Sequence, residues 1–155
     1  MLELLSKYLA HDHWANERVL KVLTRDPNPA ALYLFAHVLA AQRVWLLRLR
    51  GEDTTTTPIW PDLDVDECRA LDQKNVVAYT ETLALLTPDG LAAIATYRNS
   101  QGAAFQTPVL EALMHVFAHG VYHRGQIALV LRQAGTEPVN TDFITFVRET
   151  ASGRS

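Results

Sequence analysis

Apolar residues recur at helical spacing along four long stretches of the chain, and polar punctuation separates them. The first stretch runs from about Leu2 to Leu23. Leu2, Leu5, Leu9, Leu20 and Leu23 share a stripe, but Asp12, His13 and Asn16 interrupt its middle. Asp26, Pro27, Asn28 and Pro29 then stop the helix and form a turn. The second stretch runs from about Ala30 to Leu49, with Leu34, Val38, Ala41 and Trp45 on one line; Arg48, Arg50 and Gly51 make a C-terminal signature. Glu52 to Pro61, with four threonines, two prolines and no period, reads as a loop. The third stretch runs from about Val65 to Leu86, with Asp64 as N-cap and Glu67 placed for a capping box. Thr87, Pro88, Asp89 and Gly90 end it.

The next segment breaks the helical period. Ile94, Thr96 and Tyr97 precede Asn99, Ser100, Gln101 and Gly102, and Phe105 with Thr107 follow, the pattern of a small hairpin. The fourth long helix is predicted to start with Thr107 as N-cap and Pro108 at its first position, and to run to about Gln133 before Gly135. A short terminal helix is expected over about Thr141 to Arg148. Four helices of similar length pack most simply as a four-helix bundle, an all-α fold with one hairpin before the last long helix. Residues 1–150 are expected to form this single domain, with 151–155 a tail.

Composition narrows the function. The chain has 155 residues, 48% hydrophobic and 20% charged, with a formal net charge of −3, ordinary values for one soluble globular domain. No basic face points to nucleic acid. His, Arg or Gln breaks every apolar run before the roughly 20 residues a membrane span needs. The start of the chain lacks the features of a secretion signal, and the lone Cys68 excludes an internal disulfide framework. A cytoplasmic protein is expected.

Chemistry concentrates in the fourth long helix. His115, His119 and His123 recur every four residues, so neighbouring pairs can present two imidazoles to one point. On spacing alone His115/His119 is as good a pair as His119/His123. The second pair lies in line with the apolar Val116, Ile127 and Val130, which favours it as the one facing the interior. His37 sits on the buried-looking stripe of the second helix and is the candidate third ligand. Three histidines leave coordination positions open, the pattern of a catalytic rather than a structural site, and imidazole suits zinc, nickel, iron or copper. A bound divalent ion would lower the pKa of water toward about 7, or hold a thiol as thiolate. Asp12, Asn16 and Gln126, polar residues within helical patterns, are candidates to orient the imidazoles or line the pocket; a helix-to-helix hydrogen bond is the competing reading of Asn16 and Gln126. Gly125 is read as a point of close helix approach, Arg124 as an ion-pair partner or a cap on a neighbouring helix end, Cys68 as a small, partly buried residue, and Trp14, Trp45 and Trp60 as packing residues, with a place at the edge of the site as the alternative for Trp60.

These residues resemble a known family. YHRGQI at Tyr122 to Ile127, preceded by HVFAH at His115 to His119, is similar to the signature of the DinB/YfiT superfamily of metal-binding bundles. HWANERVL at His13 to Leu20, LFAHVLAAQRVWLLRLRG at Leu34 to Gly51, YRNSQG at Tyr97 to Gly102 and DFITFVRE at Asp142 to Glu149 resemble its other segments, in order and with similar spacing. The resemblance implies a four-helix bundle, usually a homodimer, with a divalent metal, zinc or nickel foremost, on His37, His119 and His123 and with His115 unliganded. It departs at Asp12, where family members often carry asparagine. Related branches join a low-molecular-weight thiol (bacillithiol, mycothiol or glutathione) to a small electrophile. A metal-dependent transferase of that kind is therefore the expected function, with a hydrolase or a non-enzymatic metal-binding stress protein as alternatives.

Overall fold

A computed structural model describes residues 1–99 and 101–152. Its elements are α1 (Leu2–Arg25), α2 (Pro29–Leu49), α3 (Val65–Leu85), α4 (Pro88–Ala92), β1 (Ile94–Arg98), β2 (Ala104–Pro108), α5 (Val109–Gln133) and α6 (Phe143–Ser152). The architecture is the expected all-α bundle with one two-stranded hairpin. Ser100 of the hairpin turn and the last three residues of the expected tail lie outside the described residues.

Local chemistry accounts for most of the boundaries. The Asn28 side chain accepts from the Ala31 amide at the start of α2, with Pro29 at the first helical position. Asp64 and Glu67 form both halves of the capping box that opens α3. Gly135 takes φ +82° just beyond α5, a conformation that only glycine adopts without strain. Three boundaries differ from the sequence expectation. Thr87 caps a further short helix, α4, through its hydroxyl, which accepts from the Gly90 amide. Thr107 and Pro108 belong to β2, paired with Ala95 and Ile94, so α5 begins at Val109 with no side-chain cap. Strand pairing thus wins over capping there, and the Thr107 hydroxyl bonds Tyr97 across the hairpin instead. The terminal helix begins at Phe143 rather than Thr141 and extends through Ser152.

Cross-helix contacts set the topology. Asn75 and Tyr79 of α3 donate to the carbonyls of Leu39 and Gln42, so α3 runs parallel to α2. His13 bonds Asp72 while Arg69 bonds Thr24, so α1 and α3 are antiparallel. His37 meets His123 while Trp45 meets His115, so α2 and α5 are antiparallel. Because α2 and α3 run the same way, residues 50–64 must return along the length of a helix of 21 residues, about 32 Å. Roughly 15 residues of extended chain reach about 50 Å, so this strap is long enough to cross the bundle face without a helix of its own.

The interior has two apolar clusters. One joins Leu20, Leu23, Phe35, Leu39, Ile127 and Leu131; the other joins Leu5, Leu9, Leu46, Tyr79, Leu83 and Leu113. Between them lies a buried polar layer of Asp12, Asn16, Gln42, Asp72, Asn75 and Arg124. Arg124, 2% exposed, donates through Nη1 to Asp12 Oδ1 at 2.7 Å and to Asn16 Oδ1 at 2.9 Å. Gln42 donates to the other Asp12 oxygen. Asn16 in turn donates to Asp72 at 2.7 Å. A buried ion pair offsets its desolvation through further hydrogen bonds; the two amides supply them to the carboxylates, while Arg124 Nε and Nη2 have no hydrogen-bond partner among the described residues. The close approach is made by Gly120, not Gly125. A Cβ at 120 would lie 2.8 Å from Asp12 Oδ1 and 3.0 Å from Arg124 Nη1, whereas one at 125 meets nothing within 4 Å.

Gly120→Ala is therefore expected to lower stability by about 1–3 kcal/mol and Gly125→Ala to leave it unchanged or slightly raised, read from urea denaturation midpoints. Asp12→Ala, which strands the buried guanidinium, is expected to cost about 3–5 kcal/mol.

Candidate metal centre

His37 of α2 and His119 and His123 of α5 converge at the level of the polar layer. One ring nitrogen from each lies within 4.8 Å of the others. The ring centroids are 5.1 Å apart for His37 and His119, 4.7 Å for His37 and His123, and 4.4 Å for His119 and His123. The i, i+4 spacing on α5 aligns two imidazoles, and the antiparallel packing of α2 brings the third. His115 remains on the exposed side, its ring 5.6 Å from that of His119 and 5.1 Å from Trp45.

The strap completes the site. His37 Nδ1 donates to the Ile59 carbonyl at 2.8 Å, which fixes the tautomer and leaves Nε2 with its lone pair toward the cluster. Trp60 stacks on the other side, its ring 3.6 Å from that of His37 and tilted by 6°, and Tyr33 stacks on Trp60 at 5.2 Å. His37 is thus held between a carbonyl and an indole. Neither contact carries a clear signal in the sequence. The Ile59 contact is backbone, and only the presence of a tryptophan in a threonine-rich loop marks Trp60.

Burial is the first cause that lowers the His37 and His119 pKa values; the neighbouring imidazoles add to it, and His119 is brought down to about 4. Both rings are neutral at pH 7, as ligation requires. His123 Nδ1 is buried and has no hydrogen-bond partner among the described residues. Left bare, such a group costs about 1–3 kcal/mol; an ion seated among the three rings would relieve it. Three convergent imidazoles and one orphaned ring nitrogen therefore fit a divalent transition metal.

The polar candidates have other partners. Asp12 and Asn16 hold Arg124, one residue from His123, and touch no imidazole of the cluster; Gln126 has a buried carbonyl oxygen with no partner among the described residues. Asp12 and Asn16 thus act on the backbone turn that carries His123 rather than on its ring. Cys68 is buried, and burial pushes its thiol up to about 12, so it is inert as a nucleophile.

A DinB family profile matches residues 1–154. The chain belongs to the DinB family. Protein DinB of Bacillus subtilis (strain 168) is 23% identical over 154 residues, covering 88% of this chain and 90% of that one. In this DinB-family chain α2 has the length and apolarity of a membrane span, with a mean hydropathy of 1.4, but 61% of the window is buried inside the bundle. Its apolarity therefore serves the core.

His37→Ala is expected to abolish stoichiometric zinc binding while far-ultraviolet circular dichroism is retained, and Trp60→Ala to weaken it by about tenfold, both read by calorimetry. In metal-free protein, the unfolded chain takes up a proton at His119 near pH 6.5 that the folded chain takes up only near pH 4. Stability from this residue is complete above pH 6.5 and falls with pH below it. His13, raised by its bond to Asp72, acts in the opposite direction. The urea midpoint should drop between pH 7 and 5, and His119→Gln should flatten that drop.

Proposed function

We propose that this protein is a metal-dependent transferase that joins a low-molecular-weight thiol to a small electrophile, with zinc or nickel on His37, His119 and His123. The observation that supports this reading is the composition of the cluster. Among the described residues, no carboxylate joins the three imidazoles, so the chain provides no adjacent general base of the kind that accompanies zinc in H-E-x-x-H hydrolases. A thiol needs little help to ionise. Its ordinary pKa is about 8.5, against about 15.7 for water. A bound divalent ion would supply Lewis acidity and favour the ionised nucleophile.

The chain's own residues would then bind and orient. His37, locked by Ile59 and Trp60, holds one coordination direction constant. Trp60, 46% exposed, and the Tyr33 ring stacked on it form an aromatic wall beside the cluster, suited to the apolar body of a small electrophile. The neutral imidazole of His115, one helical turn from His119, is placed to accept a proton at the edge of the site.

A homodimer in the cytoplasm is the proposed setting. Met114, Val121, Tyr122 and Leu129 of α5 are all exposed, at 42, 53, 62 and 54%, and an outer helix face this apolar suits a second copy of the chain.

Zinc- or nickel-loaded protein incubated with thiols and electrophiles is expected to consume free thiol and yield, from an epoxide, an adduct of the summed mass and, from an alkyl halide, the thioether with release of halide and a proton, with His37→Ala inactive. Turnover of an ester or amide panel at equal rates with and without thiol would replace the transferase reading with the hydrolase one. Failure of both metal forms on every thiol would overturn it.

A further inference from the structure

The groove between α1 and α3, on another side of the bundle from the three histidines, holds a second group of ligand-type side chains. His13 and Glu17 are four residues apart on α1, and Asp72 faces them from α3. One donor atom from each lies within 4.8 Å of the others. His13 Nδ1 and Asp72 Oδ2 are 2.7 Å apart. Two donors that each sit about 2.1 Å from one ion are separated by at most about 4.2 Å, so small side-chain rotations of Glu17 would close the set.

Charge makes the arrangement more than a helix contact. The Asp72 side chain is 2% exposed, and its Oδ1 is fixed by Asn16 Nδ2 at 2.7 Å, which turns Oδ2 toward His13. Among the described residues neither Asp72 nor Glu17 pairs with a lysine or arginine. The one basic side chain that Asp72 pairs with among the described residues is His13. A proton on His13 balances one carboxylate and leaves the second beside it uncompensated, a placement that repulsion disfavours. A divalent cation balances both. The His13 side chain is 36% exposed and lines a cavity of about 420 Å³ with Ser6, Ala10, Val76 and Thr80. Neither carboxylate lines that cavity, so the exposed edge of His13 is the route by which an ion would enter.

We propose that His13, Glu17 and Asp72 form a second divalent-cation site, distinct from the three-histidine centre and chemically harder. One imidazole and two carboxylates suit manganese or ferrous iron better than the all-imidazole set does. The site joins α1 to α3 as the other joins α2 to α5. Through Asn16 it also touches the Arg124 network, one residue from His123.

The test is a manganese titration of the full chain preloaded with one equivalent of zinc, with free manganese read by electron paramagnetic resonance. One manganese ion per chain is expected to bind with a dissociation constant below about 0.1 mM. Glu17→Gln, a change at a half-buried position, and His13→Gln should each weaken it at least about tenfold, or 1.4 kcal/mol, with unchanged circular dichroism and zinc stoichiometry. Manganese binding should also persist when His37, His119 and His123 are all alanine, which separates this site from the proposed transferase centre. No manganese bound below about 1 mM, or equal binding by both glutamine variants, would overturn the proposal and leave His13 and Asp72 as an ion pair between helices.

Discussion

The interaction on which the rest depends is the buried pair of Arg124 and Asp12 at mid-bundle. Its desolvation is costly, and the surrounding amides offset part of that cost on the carboxylate side. Gln42 and Asn16 supply the hydrogen bonds that complete the carboxylates, and Gly120 leaves the space the pair occupies. The pair and its amides tie α1, α2, α3 and α5 together at one level, with a separate apolar cluster above and below. A slip of one helix turn along α1 or α5 would leave a charge unpaired, and one along α2 or α3 would break hydrogen bonds to the layer, so the layer sets register where the apolar clusters alone would tolerate sliding.

Register is what the metal centre requires. Arg124 follows His123 directly, so fixing the guanidinium fixes the turn of α5 that presents His119 and His123. The parallel run of α2 and α3 has a second consequence. It sends residues 50–64 back along the bundle as an extended strap, and that strap places the Ile59 carbonyl and the Trp60 ring on His37. The centre thus has a rigid half, the two histidines of one helix, and a half held by a connection that the topology makes obligatory.

The chemistry follows from burial and mutual proximity. Imidazoles brought together away from water resist protonation, so the cluster reaches neutral pH with its lone pairs free. Among the described residues no carboxylate joins the cluster, and the proposed thiol chemistry rests on that composition. The second group, on α1 and α3, has the opposite character: two carboxylates and an imidazole whose pKa is raised. The contrast between them is a contrast of charge, and it predicts different ions for the two places.

The four long helices, their approximate lengths, the capping box of α3 and the inward face of α5 were legible in the sequence because they follow from local period and capping chemistry. The i, i+4 spacing of His119 and His123 is a property of one helix, and it needed no fold to be seen. That His37 faces them, rather than the His115 side of the stripe, followed from the apolar line and the family pattern; the antiparallel packing of α2 on α5 realises it. Other features were decided only by the tertiary structure. Thr107 reads both as the end of the hairpin and as a helix cap, and the strand pairing decides between the two. Gly125 and Gly120 look alike in the sequence, and only the position of Asp12 on another helix distinguishes them. Asp12, a candidate to orient the imidazoles or line the pocket, holds Arg124 instead, and of the two readings of Asn16 the helix-to-helix hydrogen bond is the one the packing selects. The contact that orients His37 is a backbone carbonyl from a segment without periodicity. A carbonyl belongs to every residue, so where the chain passes, and not which side chain it carries, determines that bond.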